Sequence, residues 1–128
     1  MSNFIYIKAF NDLLDQFYEY LSNKFPVIAP DILVAKTFTD FVRRGSPKEV
    51  IRQFMEHTRP YTTQIMDCDE GFFLDYEKNL RIENGQDILM YAPKLKKVWI
   101  SPETSDMEKA QIWLYFHKLI QLGHNSLA

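Results

Sequence analysis

Apolar residues recur at helical spacing along most of this chain. Ile7, Phe10, Leu14, Phe17 and Leu21 are separated by alternating steps of 3 and 4, which places them on one face of a helix over about Phe4–Asn23. Ser2 or Asn3 can cap its start, and Asp12, Asp15 and Glu19 occupy the opposite side. Pro26 forces a stop, because the residue before a proline is pushed out of helical geometry. A second helix starts near Pro30, a residue suited to a first turn, with Asp31 favourable to the dipole there. Its apolar face is Val34, Ala35, Phe38, Phe41 and Val42. Arg43 and Arg44 suit its C-terminal end, and Gly45 can close it in the left-handed conformation.

A third helix opens at Ser46-Pro47-Lys48-Glu49, where Ser46 caps, Pro47 takes the first helical position and Glu49 completes a capping box. Val50, Ile51, Phe54 and Met55 face inward. Pro60 bends or interrupts the helix, and Tyr61, Ile65 and Met66 resume the pattern to about Cys68, with Gly71 closing it. Phe72, Phe73 and Leu74 follow as an irregular or extended apolar anchor. Residues 75–86 are polar, with a turn signal at Asn84-Gly85. The flanks of that turn alternate only partly, which favours a loop over a small β-hairpin. A further helix covers about Asp87–Trp99 and is kinked or split by Pro93. The last helix is capped by Thr104 or Ser105, with Glu108 three residues after Ser105. Ile112, Trp113, Leu114, Tyr115, Phe116, Leu119, Ile120 and Leu122 then cover more than one face, until Gly123 stops it. A helix apolar nearly all round is enclosed by neighbours or meets another chain.

The expected architecture is therefore all-α. It is a compact bundle of five to six short helices in a single helical domain over residues 1–128, with an extended segment or small hairpin around residues 72–90. A chain of 128 residues, 46% of them hydrophobic, can bury a core without staples. Cys68 is the only cysteine, so no intrachain disulfide can form, and a reducing compartment fits best. The N-terminus lacks a basic region and a cleavage site, so no secretion signal is expected, and no apolar run reaches membrane-spanning length. These features predict a soluble intracellular protein with no membrane partner.

Charge is more informative in its distribution than in its sum of −2. Residues 43–59 carry five Lys/Arg against two Asp/Glu, whereas residues 60–92 carry two against seven. Opposite patches on one small body can steer association with a partner or with another copy. Asp67, Asp69 and Glu70, beside Phe72 and Phe73, are the candidate partner-binding residues. Acidic residues at a helix C-terminus oppose its dipole, which suggests that a Lys or Arg from elsewhere faces them. Arg43, Arg44, Lys48 and Arg52 cluster at the junction of the second and third helices and are the candidate phosphate contacts. Glu49 and Glu56 on the would-be recognition helix, and the acidic chain overall, rank nucleic acid below a protein partner or self-association.

Catalytic and metal signatures are missing. His57, His117 and His124 read as surface or boundary residues, with Gly123 ending the helix between the last two. A calcium loop starting at Asp67 would need glycine at its sixth position and glutamate at its twelfth, which are Phe72 and Lys78. No Gly-rich phosphate loop, zinc pattern or nucleophile elbow occurs. The expectation is no enzyme, no cofactor and no metal.

The run of FNDLLDQFYEYLSNKFP, then SPKEVIRQF, Tyr61, Ile65, EGFFL, LKKVW and EKAQIWLYFHKLIQL resembles small helical proteins predicted in nucleocytoplasmic large DNA viruses. Those proteins share an early amphipathic helix ending in Phe-Pro, a lysine- and proline-started middle helix, an acidic Phe-Phe segment and a final helix. The family has no settled activity, so the resemblance implies no catalytic residues. It implies a viral origin, expression in the host cytoplasm and packaging in a particle. Together with the residue pattern, it leads to the expectation of a non-enzymatic helical interaction module, a minor virion or assembly component. A nucleic-acid-associated regulatory or packaging factor is the alternative.

Overall fold

The computed structural model describes residues 3–74 and 92–128. Helix α1 spans Asn3–Lys24 and buries Phe10, Leu14, Phe17 and Leu21, four of the five residues of its predicted stripe. A 3-10 turn at Pro26–Ile28 follows, where the missing proline N–H and the fixed proline φ end regular helix. Helix α2, Ala29–Gly45, and helix α3, Pro47–Thr58, are separated by Ser46 alone. Pro60 breaks the next stretch, as predicted, into a 3-10 turn at Arg59–Tyr61 and a short α4 at Thr62–Met66. One turn of helix, α5, forms at Gly71–Leu74. Then come α6, Ala92–Ile100, and α7, Asp106–Leu127. Among the described residues every regular element is helical.

Helix α7 is the centre of the molecule. It packs along α1, against α3 and against α4, while α5 and α6 pack on each other. Ile112, Phe116 and Leu119 are fully enclosed, and one hydrophobic cluster joins residues from Phe10 in α1 to Ile120 in α7. Its start is set by a capping box. The Glu108 N–H donates to Ser105 Oγ at 3.1 Å, and the Ser105 N–H donates to Glu108 Oε1 at 2.9 Å. Each such cap contributes about 1 kcal/mol.

Several local expectations need correction. Gly123 does not stop the last helix, which continues to Leu127. Its hydrogen lies against α3: a Cβ there would sit 2.5 Å from Met55 Sδ and 2.9 Å from Met55 Cγ. The contact with α3 thus outweighs the roughly 1 kcal/mol that mid-helix glycine costs. Gly123→Val is expected to lower the unfolding free energy by about 2 kcal/mol in urea titrations, and Met55→Ala added to it should recover part of the loss. Equal stability of Gly123→Val and the parent would mean that α3 retreats at no cost.

Gly45 does not take the expected left-handed role either. Gly45 remains helical, and the chain leaves α2 through Ser46 in extended geometry. Among the described residues it is Cys68 that takes a positive φ without being glycine, at 55°, and Gly71 begins a helix instead of closing one. Glu49 does not complete a capping box. Ser46 Oγ accepts the Glu49 N–H at 3.3 Å, but the Glu49 carboxylate turns to Arg52. Asn3 reaches across to the far end of the chain, where its Nδ2 donates to the Ser126 and Ala128 carbonyls at 3.1 and 2.9 Å. These are carbonyls that the end of a helix leaves unsatisfied. The segment expected to be extended around residues 72–90 is helical at Phe72–Leu74. Its remainder, with the Asn84-Gly85 turn and the start of the helix expected at Asp87, lies outside the described residues.

Candidate functional site

The acidic–aromatic stretch splits into an inner and an outer half. Phe72 and Phe73 are 1% and 0% exposed, so they cannot act as partner anchors as the sequence suggested. Phe73 stacks on Trp99 at 4.3 Å and meets Trp113 at 4.9 Å, and Phe72 packs edge-on against Phe116 at 5.6 Å. Both are drawn inward because the left-handed turn at Cys68 reverses the chain and lays α5 against the core. Asp67, Asp69 and Glu70 are exposed, as a partner surface requires. Two of them already have local tasks. Asp69 Oδ1 accepts the Gly71 N–H at 2.9 Å, which caps α5, and Glu70 lies 4.0 Å from Lys109 of α7. Asp69 and Glu70 thus precede a helix start, where the dipole favours them, and the facing cation comes from this chain.

The basic cluster is likewise divided. Arg43 is held between α1 and α2. Its Nη1 and Nη2 donate to the two Asp15 oxygens at 3.0 and 3.1 Å, its Nε donates to Asn11 Oδ1 at 2.8 Å, and Nη1 also reaches Asp40 at 3.3 Å. Such a forked pair is specific in geometry as well as in energy. Arg52 is bound along α3 by Glu49 and Glu56, and its guanidinium holds the Glu49 carboxyl below the usual carboxylate range. Two of the four candidate phosphate contacts are therefore neutralised by carboxylates of their own chain. Arg44 and Lys48 are exposed and make no ion pair among the described residues.

Asn11 was not singled out by its sequence. It is 7% exposed and ties three elements, donating to the Ile7 carbonyl at 2.9 Å and to that of Pro47 at 3.3 Å while accepting from Arg43. The signal was present: Ile7, Asn11, Leu14 and Tyr18 follow one another at steps of 4, 3 and 4, so a polar residue stands within the inward stripe. Arg43→Ala, which removes one donor from Asn11 and the forked partner of Asp15, is expected to cost about 2 kcal/mol. Arg44→Ala should change stability by less than about 0.5 kcal/mol. Chemical unfolding of the two variants side by side checks the contrast.

His117 stands half-buried at the boundary between α7 and α4. Its Nε2 is 2.7 Å from the Ile65 carbonyl oxygen and 3.8 Å from Cys68 Sγ. A carbonyl only accepts, so Nε2 carries the proton and donates it there. That nitrogen is then unable to take a proton from the thiol. The bond secures α4 to α7 just before the left-handed turn. Among the described residues no group of three His, Cys, Asp or Glu could hold a metal ion, and no helix is long and apolar enough to cross a membrane.

The outer face of α2 exposes several large apolar side chains. The sequence assigned Val34 and Phe41 to the core, but they are 52% and 72% exposed, and Leu33 beside them is 65% exposed. Ala35 is buried as expected, with Ile32 and Thr39 beside it, and Phe38 and Val42 pack partly buried against the core. Thr39 can turn inward because its hydroxyl donates to the Ala35 carbonyl at 2.9 Å and meets the Tyr18 hydroxyl at 2.9 Å. With a threonine accommodated inside, the larger apolar residues are left on the outside. Leu33, Thr37 and Phe41 lie four apart, with Val34 adjoining, so they share one face. A second surface feature is a shallow groove of about 460 Å³ between α1 and α7, lined in part by Leu13, Gln16, Lys118 and Leu122.

Comparison of the chain with family models, with curated proteins and with solved structures finds no match.

Proposed function

We propose that this chain is a non-enzymatic helical protein–protein interaction module that works by surface complementarity. The observation that supports the reading is the outer face of α2. Three large apolar side chains, Leu33, Val34 and Phe41, stand in water on one continuous helix surface. Contiguous exposed apolar patches on small proteins mark interaction sites, and large apolar and aromatic groups dominate the energy of such contacts. The acidic residues Asp67, Asp69 and Glu70 form a separate exposed charged region that can steer the encounter. The alternative, a nucleic-acid-associated factor, is left with Arg44 and Lys48 as its unpaired cations. The sequence resemblance supports a more specific assignment, a minor virion or assembly component of a large DNA virus, acting in the host cytoplasm or within the particle.

Affinity capture of the full chain from its native source, particles included, tests this reading. Parent, Phe41→Asp and an Asp67/Asp69/Glu70 charge-reversal variant are compared. Loss of a specific bound protein, or of bound untagged copies, from Phe41→Asp supports the module. Identical recoveries from parent and Phe41→Asp would rule out α2 as the surface. Absence of the protein from purified particles and assembly sites would remove the virion assignment.

A further inference from the structure

We draw no further inference here: the strongest candidate, the exposed apolar face of α2 formed by Leu33, Val34 and Phe41, carries nothing beyond the docking role already proposed for it, because nothing in the structure shows what covers it.

Discussion

Phe73→Ala is expected to lower the unfolding free energy by about 3–5 kcal/mol, which would leave the domain close to unfolding at body temperature. The ring is 0% exposed and is gripped by Trp99, Trp113, Phe116 and Phe72, with centroid separations from 4.3 to 5.7 Å. Truncation removes the transfer energy of the ring and leaves a cavity between rigid aromatic neighbours that cannot collapse easily to fill it. Aromatic contact geometry adds further to the loss. Urea unfolding followed by tryptophan fluorescence is the measurement, because both tryptophans touch the site. Its functional meaning is that any loss of binding by Phe73→Ala would come through unfolding. Phe41→Asp, by contrast, should leave the denaturation midpoint nearly unchanged. A stable, well-folded Phe73→Ala would mean that α5 does not seal the core.

The second large effect appears at high pH. Tyr18 is 7% exposed, and its hydroxyl is pushed up to about 12 from the ordinary value of 10. Burial is the main cause, opposed by the nearby Arg43 charge. Thr39 already donates to the Ala35 carbonyl, so the Tyr18 hydroxyl must be the donor between the two. Ionisation would remove that proton and leave a charge in an apolar interior. Because the folded value lies above the unfolded one, the unfolded chain binds fewer protons between the two values. The neutral phenol therefore contributes stability that is complete below pH 10 and is lost as pH rises through about 12. The loss amounts to about 3 kcal/mol for a two-unit shift. Tyr18→Phe should cost about 1 kcal/mol at neutral pH and then decline less steeply with alkali than the parent. Parallel stability curves for the two proteins across this range would show that Tyr18 is not buried in the way described.

Both effects arise in positions that the residue pattern treats unequally. Local pattern identified the α1 stripe, a start of α7 at Thr104 or Ser105 and the break at Pro60, because each depends on groups within a few residues of one another. A capping serine, a proline without an N–H and a 3-4 alternation act through local geometry, so they read the same in sequence and in space. Asn11 and Tyr18 fall at inward spacing on α1, but neither their bonding nor the inward turn of Thr39 was legible in that way. Each is a polar or amphipathic residue whose inward orientation depends on a partner from another helix.

The candidate sites divided for the same reason. Asp67, Asp69 and Glu70 are exposed, as charge alone suggests, because unpaired carboxylates are costly to bury. Phe72 and Phe73 could have pointed either way until the turn at Cys68 set the direction of α5. Arg43 and Arg44 are adjacent and chemically identical, yet one is locked to Asp15 and the other faces water, since successive helical residues point about 100° apart. On α2 the chain offers two apolar arcs. Which one enters the core was decided by the approach of Tyr18 to Thr39.

Sequence by itself determined that this chain is helical, where most of its helices begin and break, and that its apolar content is ample for a core. These are local and compositional properties. Tertiary structure alone decided which aromatic residues are enclosed, which cations are already paired and which apolar side chains of α2 stay exposed. Those outcomes depend on contacts between residues far apart in the chain, such as Arg43 with Asp15 and Gly123 with Met55. No periodicity within a single helix encodes them.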